Sequence, residues 1–218
     1  AALGAVDFLM WVVTGISTGL TQGFSIQLSQ YYGAKDFENL RKSLAHSYRL
    51  TAFIAAGVLI LSQSFASLVL TGLHTPSNII GMSLLYLRII FCGIPATAAY
   101  NMFASALRAM GNSKTPLTAM IIASVLNVSL DILFVAGFGW GVAGAAIATV
   151  IAQSFSAVYC FLILRRIDIV HLTRADFMPA SGMNARLMKL GIPVVFQNII
   201  IGVGGLVVQY VINGYGFL

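Results

Sequence analysis

TPLTAMIIASVLNVSLDILFVAGFGWGVAGAAIATVIAQSFSAVYCFLIL, residues 115–164, is a run of 50 residues between Lys114 and Arg165 carrying one charge, Asp131. A membrane-spanning helix takes about 20 mostly apolar residues, so the run is long enough to cross a bilayer twice. GFGWG (137–141) supplies the tight turn between the two crossings. An ionisable side chain at the centre of such a helix costs roughly 3 kcal/mol or more, so it pairs, titrates or binds something. Asp131 therefore marks this segment as part of a transport pathway.

The rest of the chain has the same character. It is 59% hydrophobic and 8% charged, with a mean hydropathy of +0.92, against about a quarter charged in a soluble domain. The net charge of +6 does not point to nucleic acid, because the basic residues cluster in short segments between apolar runs. Cys92 and Cys160 lie within apolar runs without metal-type spacing and read as small packing residues.

Six spans follow, at roughly 8–30, 47–71, 83–107, 117–137, 141–164 and 190–214. The expected fold is an all-α polytopic membrane protein. Gly15, Gly19 and Gly23 form a ridge suited to close helix packing, and Gly93 and Pro95 predict a bend in the third span. The connections alternate in charge. Segments 31–49, 108–116 and 165–189 are rich in Lys and Arg, whereas TGLHTPSN (71–78) and GFGWG have none. The positive-inside rule puts the three basic connections in the cytoplasm of a multi-pass cell-membrane protein. The first span then runs inward, which implies a missing preceding helix, so the chain is expected to be the middle of a longer protein. Residues 1–165 form one helical bundle, 166–189 a cytoplasmic linker with His171 solvated, and 190–218 the first helix of the next bundle.

Asn127 and Asp131 are four apart and share a helix face about 6 Å from one another. They and Thr149, across the GFGWG turn, sit roughly 12–15 Å below that turn, near the middle of a ~30 Å core. Carboxylate, amide and hydroxyl there suit a proton or a hard cation such as Na⁺. A second reading stays open, in which Asp131 is structural and bonded to Asn127 or to a backbone carbonyl. Asn101, Met120 and Gln197 are candidate substrate-cavity residues. Arg88 reads as snorkelling from the outer end of its span. The histidines, His46, His74 and His171, lie in or beside loops with no catalytic grouping, so nothing argues for an enzyme, and no organic cofactor is implied.

Several stretches taken together carry a family resemblance: GLTQGFSIQLSQYYGAKD, YNMFASALRAMGNSKTPL, LNVSLDILFV, GVAGAAIATVIAQ and LGIPVVFQN. In order and spacing they resemble the multidrug and toxic compound extrusion (MATE) family of cation-coupled antiporters. The resemblance implies twelve helices in two six-helix lobes, of which this chain supplies helices two to six plus helix seven. A first helix and most of the second lobe are then partners of the same protein. It also implies alternating-access export of amphipathic, often cationic organic compounds against H⁺ or Na⁺. Asn127, Asp131 and Thr149 match polar positions of a first-lobe cation site. The alternative is a lipid-linked sugar flippase of related architecture, although the spans offer only Arg88 to bind its pyrophosphate.

Overall fold

The computed structural model describes the backbone of residues 2–72 and 77–214, and the side chains of 14–68, 70–71 and 80–205. Asp7, His74 and Gln209 lie outside the described side chains. Every long element is helical: α1 (Ala2–Gly33), α2 (Phe37–Gly72), α3 (Ser77–Cys92), α4 (Ile94–Ala109), α5 (Lys114–Asp131), α6 (Gly141–Arg165) and α7 (Met183–Gly214). Among the described residues there is no strand. Five stretches are long and apolar enough to cross a membrane: Phe37–Leu68, Ile80–Ala109, Lys114–Gly137, Gly141–Arg165 and Met183–Gly205. The 32-residue α1 makes a sixth long helix.

Large apolar side chains face outward. Phe53 is 70% exposed, and Ile60, Val125 and Ile132 are exposed to a similar degree. Small residues lie between the helices instead, with Ala98, Ala104, Ala119, Ala146 and Ala148 buried. Lipid is as apolar as leucine, so close backbone approach, not burial of greasy surface, holds such helices together. The glycine ridge of α1 shows this most clearly. A Cβ placed on Gly19 would lie 2.8 Å from Cα of Val195 in α7, and one on Gly23 would lie 2.6 Å from the nitrogen of Gly191. The larger apolar core, which includes Phe24, Leu44, Leu107, Leu164 and Leu187, gathers where the basic connections are.

The connections are shorter than hydropathy suggests. Segment 31–49 is almost wholly helical: α1 runs to Gly33 and α2 starts at Phe37, ten residues before the expected span edge. Backbone hydrogen bonds do not stop where polar side chains begin, so a helix continues past the bilayer as charged turns. Asp36 caps α2, its Oδ1 accepting from the backbone N–H of Asn39 at 3.2 Å. Segment 108–116 shortens in the same way, because α4 ends at Ala109 and α5 begins at Lys114. His46 is therefore not a loop residue; it is 2% exposed on α2. Cys160 is buried as expected, whereas Cys92 is exposed beside the Gly93 break and accepts a hydrogen bond from Nε2 of Gln63 at 3.3 Å.

Between α6 and α7 the chain forms a strap, residues 166–182, with short 3-10 turns at Asp168–Val170 and Arg174–Phe177. Asp176 is buried and closes the second turn, its Oδ2 accepting from the Thr173 backbone N–H at 2.7 Å and from Thr173 Oγ1 at 2.8 Å. The strap is fastened to α2. His46 Nε2 donates to the Met178 carbonyl at 3.0 Å, Arg49 Nη1 to the Phe177 carbonyl at 3.1 Å, and Arg41 Nε lies 3.9 Å from Asp176 Oδ1. His171 is exposed.

Candidate functional site

Two polar stripes face one another across the α5–α6 hairpin. Ser124, Asn127 and Asp131 recur at helical spacing on α5; Thr149, Gln153 and Ser156 do so on α6. The hairpin brings them together through a compact turn. A π-turn at Ile132–Gly137 follows Asp131, Gly139 and Gly141 take positive φ, and a Cβ on Gly144 would lie 2.9 Å from Phe134 Cβ. Phe134 and Trp140 stack at 5.1 Å over this end, an aromatic pair of the kind found at membrane interfaces.

Within the stripes, Asn127 Nδ2 donates to Thr149 Oγ1 at 3.4 Å, and Thr149 Oγ1 donates to the Ala145 carbonyl at 3.0 Å. This leaves the threonine oxygen one lone pair, and the asparagine keeps its own oxygen as acceptor. Asp131 lies one turn further along the same face. Its Oδ1 is buried, and it has no hydrogen-bond partner among the described residues. Among the described residues no hydrogen bond joins Asp131 to Asn127, whose amide is turned to Thr149.

Two cavities flank this pair of stripes. One of about 120 Å³ lies between α5, α6 and α4, lined by Ser124, Asn127, Thr149, Gln153 and Ser156 with Met120 at its edge. The other, about 190 Å³, lies between α1, α3, α4 and α6 and is lined by Ser17, Tyr86, Gly93, Thr97, Thr149 and Gln153. Ser17 Oγ is also buried without a partner among the described residues. Thr149 and Gln153 belong to both linings and form the wall between the cavities. The Gly93 break serves this arrangement, since a Cβ there would lie 2.8 Å from Val150 Cγ2 on α6.

The remaining candidates are dispersed. Asn101 is half-buried and donates through Nδ2 to Thr18 Oγ1 at 3.1 Å, tying α4 to α1, and it lines neither polar cavity. Gln197 is exposed on α7, whereas its neighbour Asn198 turns inward to the Gly15 carbonyl at 3.5 Å. Arg88 is exposed on α3, and its backbone carbonyl accepts from Gln63. Gln153 is the residue the sequence reasoning missed; its place one turn after Thr149 in an apolar helix was the available signal. Of the expected set, the structure joins Asn127 to Thr149, whereas Asp131 stands one turn further along α5 and lines neither polar cavity. Among the described residues there is no cluster of three or more His, Cys, Asp or Glu, the pattern expected of a tight transition-metal site.

Comparison with known proteins agrees with this architecture. A probable multidrug resistance protein, YpnP, of Bacillus subtilis (strain 168) is 32% identical over 218 residues, covering 99% of this chain and 49% of the relative. Multidrug export protein MepA of Staphylococcus saprophyticus is 25% identical over 208 residues, covering 94% and 46%. The chain spans about half the length of the curated relatives it matches. In fold it is similar to an inward-facing multidrug resistance MATE family transporter of the MOP superfamily. That likeness has a TM-score of 0.86 at 22% identity over 93% of this chain and 46% of the other. The MatE family model matches residues 1–133, a stretch that holds Asn127 and Asp131 and ends before Thr149. With a family model over more than half its length, on a helical membrane fold, the chain belongs to the MatE family.

Proposed function

We propose that this chain forms part of a secondary transporter of the cell membrane that exports amphipathic, often cationic organic compounds in exchange for H⁺ or Na⁺. The coupling ion binds at Asp131, Asn127 and Thr149. One observation carries this reading: Asp131 presents a buried carboxylate oxygen without a partner, one turn from an asparagine committed to a threonine on the next helix. A charge held that way is expensive in a membrane, and a proton or cation removes the expense. Ion binding therefore changes the relative stability of states that expose the site to one side or the other, which is what coupling requires. The basic ends of the helices face the cytoplasm. Asn101, Met120 and Gln197 contribute to the substrate path of the whole protein. Neither cavity is lined by Lys or Arg, which argues against a carrier of pyrophosphate-linked sugars.

The test uses the full-length protein in liposomes, with a fluorescent cationic dye followed under an imposed pH gradient and then a Na⁺ gradient. Asp131→Asn is expected to abolish gradient-driven dye movement while the variant still elutes as folded protein, and the effective gradient names the ion. Unchanged coupled movement in Asp131→Asn would falsify the coupling role. No dye movement in the wild type would overturn the multidrug reading in favour of other cargo.

A further inference from the structure

A third cavity, about 370 Å³, shares no lining residue with the two polar ones. It is a groove between α2 and α4, walled by Ala52, Ala56 and Leu59, by Ala99 and Phe103, and at one end by Phe161 of α6. That end is aromatic: Phe103 meets Tyr48 edge-on at 5.4 Å and Phe161 at 5.3 Å. Along α2 the groove runs from Tyr48 to Leu59, on the order of 16 Å at 1.5 Å per residue, close to one leaflet of a ~30 Å core. By proportion with a 150 Å³ cavity that holds benzene, the volume suits roughly 15 carbon atoms. Length and volume both correspond to a single acyl chain.

The aromatic end leads to positive charge. Arg49 stands on the groove-lining face of α2, three residues before Ala52 and seven before Ala56, and Arg165 stands one turn beyond Phe161 on α6. Both are exposed. The ion pairs among the described residues are Arg41–Asp176 and Lys42–Glu38, so neither Arg49 nor Arg165 has a carboxylate partner. Arg49 gives one N–H to the Phe177 carbonyl at 3.1 Å and keeps further donors. The strap there exposes Phe177 (37%) and Met178 (66%), apolar side chains at the level where the headgroups lie.

We propose that the α2–α4 groove binds an anionic phospholipid from the leaflet at the basic end, with one acyl chain in the groove and its phosphate between Arg49 and Arg165. A phosphate matches two unpaired guanidinium groups as a zwitterionic headgroup does not, because choline brings its own cation to the same place. The site is independent of the coupling site and does not rest on the transport reading.

Native mass spectrometry of the delipidated full-length protein tests it, titrating dioleoylphosphatidylglycerol against dioleoylphosphatidylcholine. The wild type is expected to retain one phosphatidylglycerol about tenfold more tightly than phosphatidylcholine. Arg49→Gln with Arg165→Gln removes that preference and leaves phosphatidylcholine binding unchanged. Ala56→Phe, at an exposed position inside the groove, weakens both lipids. Equal retention of the two lipids by the wild type, or undiminished phosphatidylglycerol binding in either variant, would overturn the proposal. So would protection of an Ala56→Cys variant from a lipid-soluble maleimide, or a dimer in the spectrum. Either result would mean that another helix of the longer protein, or a second copy, covers the groove.

Discussion

His46 on α2 and Asn184 at the start of α7 are 138 positions apart in sequence, and their side chains meet at 2.7 Å between Nδ1 and Oδ1. With the other ring nitrogen on the Met178 carbonyl, this buried imidazole joins both ends of the α7 entry to α2. Removing it takes away two hydrogen bonds that hold the strap and α7 to α2, each worth about 0.5–1.5 kcal/mol, while the exposed Asn184 can turn to water. His46→Ala should therefore raise hydrogen exchange through residues 172–184 about tenfold or more in the full-length protein. His171→Ala, at an exposed strap position, should leave exchange unchanged.

The close approach of α1 and α7 predicts an order among glycine substitutions. A Cβ on Gly23 would meet backbone, Gly191 N at 2.6 Å and Leu190 O at 2.7 Å, which cannot swing aside. A Cβ on Gly191 would mostly meet side-chain ends, Leu20 Cδ2 at 2.9 Å and Phe24 Cε1 at 3.2 Å, which have some room to move. Gly23→Ala should cost about 1–3 kcal/mol, and Gly191→Ala less. Gly57→Ala, with nothing within 4 Å, should be neutral or gain up to about 1 kcal/mol in helix propensity. Thermal unfolding in detergent ranks the three; a Gly23→Ala variant as stable as Gly57→Ala would contradict the packing described.

Thr149 and Gln153 separate two cavities, so their substitutions should affect ion response more than folding. Thr149→Val keeps the shape and removes the oxygen that receives Asn127. About a tenfold weaker dependence of dye export on the coupling ion is expected, with the melting temperature within a few degrees of wild type. Thr149→Ser should restore most of the response. Gln153→Leu should depress export although no motif marks the residue. A response in Thr149→Val equal to that of wild type would detach Thr149 from the ion.

At the α1–α2 corner, hydrogen bonds from the Asn39 side chain and backbone hold the Asp36 carboxyl below its ordinary value. A lowered folded-state value means that the cap's contribution is full above the unfolded carboxylate range, near pH 4, and is lost as pH falls through the folded value. Protection of the Asn39 amide, its exchange rate relative to the intrinsic rate at the same pH, should fall on acidification below about pH 4 in the wild type. In Asp36→Ala that protection should be low at every pH.

Hydropathy located the five spanning stretches found among the described residues because a bilayer filters composition over about 20 residues at a time. It misplaced their ends because Glu38, Arg41 and Lys42 are polar and still helical. The α5–α6 site was legible for a different reason: Asn127, Asp131 and Thr149 are conspicuous where nearly everything else is apolar. Gln153 was equally conspicuous, and its relation to Thr149 needed only a count of four. By contrast, the π-turn at Ile132–Gly137 depends on backbone register, and the fastening of His46 to the strap depends on which distant segment arrives beside it. Neither leaves a mark in local composition.

The meeting of Gly23 with Gly191 has a mechanical consequence. Side chains at most helix contacts act as springs, since rotamers can change and absorb a small slide. Here main chain lies against main chain, and there is nothing compliant between. A small slide of α7 along α1 at this point finds no rotamer to absorb it.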